Sequence, residues 1–147
     1  MSSKLNVRQW IIASIVVFVF VSIWGFLVNR LIMPGLFPPA SMSTSMADLG
    51  NPVLQRFWIY CGRAVFALLF VYIFTRGYEG KPGLGEGLRY GFWIGLFLNL
   101  PGVPSNLIFT ANPAEVVVAQ SVLWFLSYLF CGLFTGAIYK GSPKLAA

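Results

Sequence analysis

Histidine is absent from the 147 residues, cysteine occurs twice and acidic residues four times. Without imidazole the chain lacks the commonest metal ligand and the side chain that titrates nearest neutrality. Histidine-ligated metal and haem are therefore poor fits, and no cofactor is expected. Cys61 and Cys131 fall in apolar segments without a Cys-x-x-Cys partner, so no disulfide framework or zinc site is indicated. The four acids are Asp48, Glu79, Glu86 and Glu115, and none sits in the middle of an apolar run. A proton relay across a membrane needs ionisable groups at intervals through it, and this inventory supplies none. A Ser/His/Asp set, an acid-base pair or a metal cluster likewise cannot be assembled, so catalysis is not expected.

Charge of either sign is scarce. Charged residues make up 10% of the chain and hydrophobic residues 58%, against about 25% charged in a soluble domain. The composition is that of a membrane protein. The net charge of +6 does not indicate nucleic-acid binding, because the ten cations are not gathered into one basic stripe and most sit beside the ends of apolar segments. They read as topology signals and as contacts to anionic lipid headgroups.

Four apolar segments are predicted as transmembrane helices, at residues 10–33, 57–75, 85–100 and 114–139. The first follows Lys4 and Arg8 and exceeds the roughly 7–15 residues of a signal-peptide core, so it is read as a retained span. Residues 34–56, rich in Pro, Ser and Met, form the longest loop. The glycines and Pro82 of RGYEGKPGLG favour a tight reversal before the third helix. Pro101 and Pro104 are expected to stop that helix. Asn112, Pro113 and Glu115 predict the start of the fourth, with the amide as cap. With both termini cytoplasmic, that side carries Lys4, Arg8, Arg76, Lys81, Arg89, Lys140 and Lys144, and the outer side only Arg30 and Arg56. This obeys the positive-inside rule. Trp10, Trp58, Tyr60 and Tyr139 lie near segment ends, where amphipathic rings favour the water-lipid boundary. The expected fold is all-α, a single four-helix transmembrane domain over residues 1–147 in a bacterial inner membrane.

What the chain has in abundance is glycine at regular spacing. Gly83, Gly87, Gly91 and Gly95 form one smooth stripe if their segment is helical, and Gly132 and Gly136 repeat the spacing on the fourth helix. In lipid, helices associate through close backbone contact that such small residues permit. Antiparallel packing of the third and fourth helices is the first expectation, and contact with another subunit the alternative.

Arg63 is the strongest anomaly, an arginine about two turns inside the second predicted helix. Its guanidinium has five donors and no acceptor. Asn99, Gln120 and Ser121 are expected at comparable depth as acceptors, with Glu115 as an ionic partner if the side chain extends outward. Three readings stay open: a snorkelling structural arginine, a contact to an anion, lipid headgroup or substrate, and a contact to another subunit. Glu86 and Arg89 are expected as a solvated or headgroup-level pair on one face of the third helix. Met33, Met42 and Met46 are too few and unsupported for a copper site, and predict an adaptable apolar surface instead.

In the sequences YIFTRGYEGKPGLGEGLRYGFWIGLF and GLFTGAIYK, covering mainly the second half, the chain resembles a group of small bacterial four-helix membrane proteins of uncharacterised function. The resemblance implies the four-span topology and carries over no activity or catalytic residue. The function expected is that of a non-catalytic accessory subunit that stabilises or assembles a larger membrane complex, respiratory, photosynthetic or transport. The alternative is a small oligomeric transporter or channel with a polar path through Arg63, Asn99 and Gln120.

Overall fold

A computed structural model describes residues 6–37, 51–78, 83–109 and 112–139, and every regular element among them is helical. Helix α1 begins at Val7–Leu27, passes through a π turn at Val28–Ile32 and ends with Met33–Leu36. It is followed by α2 (Pro52–Gly77), α3 (Gly83–Asn99), α4 (Gly102–Phe109) and α5 (Ala114–Ile138). Three helices are long and apolar enough to cross a membrane: Val7–Leu36, Pro52–Gly77 and Ala114–Ile138. At 17 residues, α3 is about 25 Å long and falls short of a hydrocarbon core of about 30 Å. The methionine pair Met42 and Met46, with Lys4, Asp48, Glu79, Lys81, Lys140 and Lys144, lies outside the described residues.

Several boundaries differ from the sequence reading for identifiable reasons. The second helix starts at Pro52, five residues before the apolar run, because Asn51 caps it: the Val53 amide donates to Asn51 Oδ1 at 2.9 Å and Pro52 fills the first turn. The first helix runs to Leu36 because the π turn precedes Pro34, whose ring lies in the opening turn of the last segment. Pro101 does end α3, but residues 102–109 then form a short helix instead of a loop. Pro104 lies in its first turn, where a missing amide donor costs nothing. Asn112 is not the cap of α5; that position belongs to Pro113, whose carbonyl accepts from the Val116 and Val117 amides at 3.0 and 3.2 Å.

Helix α5 is the hub of the bundle. It packs most extensively on α3 and also on α1, which in turn packs on α2. A buried cluster of Ala13, Val17, Val21, Ala67, Phe70, Val71 and Cys131 joins α1, α2 and α5. A second cluster, Val28, Met33 and Val116, joins the far part of α1 to the start of α5. Three ring donors tie helices together through main-chain carbonyls: Trp10 Nε1 to Leu68 O (3.3 Å), Trp24 Nε1 to Leu123 O (3.1 Å) and Tyr90 Oη to Phe70 O (2.7 Å). Trp10, read as a boundary residue, thus also links α1 to α2. Tyr139, read the same way, is buried between Phe74 and Tyr78.

Candidate functional site

Two ends of the bundle are built differently. One carries Val7, Gly77, Gly83 and Ile138; the other carries Leu36, Pro52, Asn99 and Ala114. From the Gly83 end, the glycine stripe of α3 runs antiparallel against α5. A methyl placed on Gly83 would overlap the Gly136 carbonyl oxygen, and one on Gly87 the Gly132 carbonyl oxygen. At Gly91 it would meet Tyr128 O at 2.5 Å, and at Gly95 the Phe125 ring at 3.0 Å. Gly132 and Gly136 return the relation, each with backbone of α3 where a Cβ would stand. At Gly83, Gly87, Gly91, Gly132 and Gly136 the second Hα faces a carbonyl of the other helix, a geometry for weak Cα–H···O contacts.

Opposite this interface α2 presents Phe66, Phe70 and Phe74, and its C-cap Tyr78 continues the spacing of every fourth residue. Phe66 lies against Tyr128, Phe70 and Phe74 against Tyr90, and Phe74 and Tyr78 against Tyr139, with ring centroids 4.9–6.2 Å apart. The sequence reading missed this ladder, because its rings stand among other hydrophobes. Four buried Ser and Thr hydroxyls in this region bond within their own helices, Ser14 to Trp10 O, Thr75 to Tyr72 O, Ser127 to Trp124 O and Thr135 to Cys131 O, whereas Ser22 Oγ has no partner among the described residues. The four bonded hydroxyls are satisfied locally. Glu86, expected in solvent, is buried at the start of α3, where it shares a groove with Arg89 and Phe74.

Toward the Asn99 end two clefts open on either side of Trp124. The first, about 270 Å³, is lined by Asn99, Asn106, Asn112, Gln120, Ser121 and Trp124. Asn99 Nδ2 donates to Gly95 O and Ser121 Oγ to Val117 O, both within their own helices. The second, about 260 Å³, is lined by Val21, Ile59, Arg63, Phe66, Trp124 and Tyr128.

The polar residues therefore do not converge as expected. Asn99, Gln120 and Ser121 share one cleft, whereas Arg63 lines the other and bonds to none of them. Because α2 begins at Pro52, Arg63 is eleven residues, about 17 Å, from its start. The guanidinium stands over the Tyr60 ring, 5.6 Å from its centroid, and fills the space where Gly25 of α1 would carry a Cβ. Gly25 and Trp124 lie at matching depths, eleven and ten residues from the same ends of α1 and α5. Glu115 is exposed in the first turn of α5, nine residues or about 14 Å along that helix from Trp124, and forms no ion pair with Arg63. Gly25 was not singled out in the sequence; an isolated glycine in a hydrophobic helix carries no spacing signal.

No protein-family model matches the chain, and no curated protein or solved structure is significantly similar to it.

Proposed function

We propose that the chain is a non-catalytic integral membrane subunit, with four spans and cytoplasmic termini, that packs against and stabilises a larger complex of a bacterial inner membrane. The observation that carries this reading is the contrast between a closed interior and a ring-bearing exterior. From the Gly83 end to the level of Trp124, the bundle is filled by backbone contact, aromatic rings and self-bonded hydroxyls, which leave little room for a solvated path. Away from the glycine stripe, Trp93 and Phe97 of α3 and Leu100 just past its end are 62–73% exposed and line a shallow groove with Leu96 and Pro101. Aromatic side chains of this kind are enriched where one protein surface meets another. The cation distribution favours cytoplasmic termini, and α3 would complete its crossing with help from α4 or by local thinning of the bilayer.

The test is the mass and composition of the native particle after gentle extraction at endogenous expression. Recovery at fixed stoichiometry with a larger complex supports the reading; a lone monomer or homo-oligomer removes it. The second reading, a small transporter, draws on the amide-lined cleft of Asn99, Asn106, Asn112 and Gln120. It requires solute flux through the purified protein in vesicles, with Gln120→Leu slowing that flux.

A further inference from the structure

The Arg63 cleft has an excess of hydrogen-bond donors. Besides Arg63 it is lined by Trp124 and Tyr128, and these three side chains form no hydrogen bond with any described residue. The carbonyl of Gly25, the residue against which the guanidinium stands, is already engaged: it accepts from Asn29 Nδ2 at 2.7 Å and from the Val28 amide. No described carboxylate pairs with the arginine, since Glu86 lies at the opposite end of the bundle and Glu115 is exposed in the first turn of α5. The rest of the lining, Val21, Ile59 and Phe66, is apolar.

Donors without acceptors, one fixed positive charge and apolar walls together specify what would fit. We propose that this cleft binds an oxyanion carried on an apolar chain, with the carboxylate or phosphate headgroup on Arg63 and the tail continuing along the bundle surface into lipid. A guanidinium presents a planar fork that matches either headgroup with two parallel hydrogen bonds. Trp124 and Tyr128, which line the same cleft, each carry one donor that the remaining oxygen lone pairs can accept. An unpaired arginine inside a bilayer is costly, so the apolar setting that penalises the empty site also favours its occupied form. Gly25 adds to the site, because the guanidinium stands against α1 in the space that a Cβ at this position would take. This inference goes beyond the accessory-subunit reading and does not depend on it.

The experiment is equilibrium binding to the full chain in uncharged detergent micelles. The probes are labelled hexadecanoate and labelled dipalmitoyl phosphatidic acid, with hexadecanol and inorganic phosphate as competitors. Saturable binding of one labelled anion per chain is expected, with hexadecanol and inorganic phosphate each competing at least about tenfold more weakly. The tighter of the two labelled probes identifies the source, free fatty acid or phospholipid. Arg63→Gln should weaken binding about tenfold or more, Arg63→Lys less, and Tyr128→Phe about threefold. Tyr128→Phe keeps the test decisive if Arg63→Gln does not fold. The proposal is overturned if neither probe binds saturably, if hexadecanol competes as well as the acid, if inorganic phosphate competes equally, or if the folded variants bind unchanged. Binding by a chain that purifies alone would uphold this site while removing the accessory-subunit reading.

Discussion

The two faces that close the bundle use the same period for opposite ends. On α3, a residue every fourth position is glycine, and the partner's backbone enters the space that side chains would take. On α2, every fourth position is an aromatic ring, and the partner is held off by ring-to-ring contact. Both arrangements answer the same problem: lipid is already apolar, so helices gain little by hiding apolar surface from it and must gain from contact quality. A backbone interface has no compliant atoms. A ring interface can tilt and repack, so equal disturbances of the two should have unequal effects.

The largest effect is expected from Gly91→Leu. Its Cβ alone would stand 2.5 Å from Tyr128 O, and main chain on both sides leaves nothing to rotate away. Overpacking of a core costs about 1–3 kcal/mol even where side chains can adjust. The variant should therefore lose most of its thermal stability in detergent, read as aggregation on a size-exclusion column after graded heating. An unchanged profile would mean that α3 and α5 do not rest on each other as described.

Phe70→Ala comes next. Phe70 is buried against Phe66 and Tyr90, and its loss leaves a void costing about 3 kcal/mol where surroundings stay rigid, less where rings close over it. Destabilisation short of that for Gly91→Leu, in the same heating assay, would support the contrast; an equal or larger loss would break it. Tyr90→Phe removes the bond to Phe70 O but keeps the ring, and should cost about 0.5–1.5 kcal/mol in the same assay. The smallest effect belongs to Gly85→Ala. Gly85 is in the same helix but off the stripe, with open space where its Cβ would go, so the variant should be neutral or more stable by up to about 1 kcal/mol. A large loss at Gly85 would show that the whole helix, not one face, needs glycine.

The sequence revealed the glycine interface because a residue without a side chain leaves one structural option, close backbone approach, and four repeats fix the face. It did not reveal the ladder of rings, since Phe66, Phe70, Phe74 and Tyr78 are embedded among other hydrophobes and a period of four does not stand out there. Helix ends were hardest where polarity and helicity part company. Gln55 and Arg56 looked like loop, yet the Asn51 cap carries the helix through them. The Asn-Pro pair at 112–113 looked like the same device, but there the proline takes the cap position. Arg63 could be recognised as anomalous from its flanks. Its seat could not, because the seat is made by Gly25 and Trp124, 38 and 61 residues away in the chain.

The π turn at Val28–Ile32 gives α1 a phase joint. A π turn closes on the fifth residue instead of the fourth, so it takes up one residue more than a regular turn without turning the helix beyond it. Deleting one residue between Val28 and Ile32 would let a regular turn take its place and leave Met33 in the cluster it forms with Val28 and Val116. The same deletion in the regular part of α1 would swing everything beyond it through about 100°. A change of chain length that would scramble the helix elsewhere is absorbed at this turn.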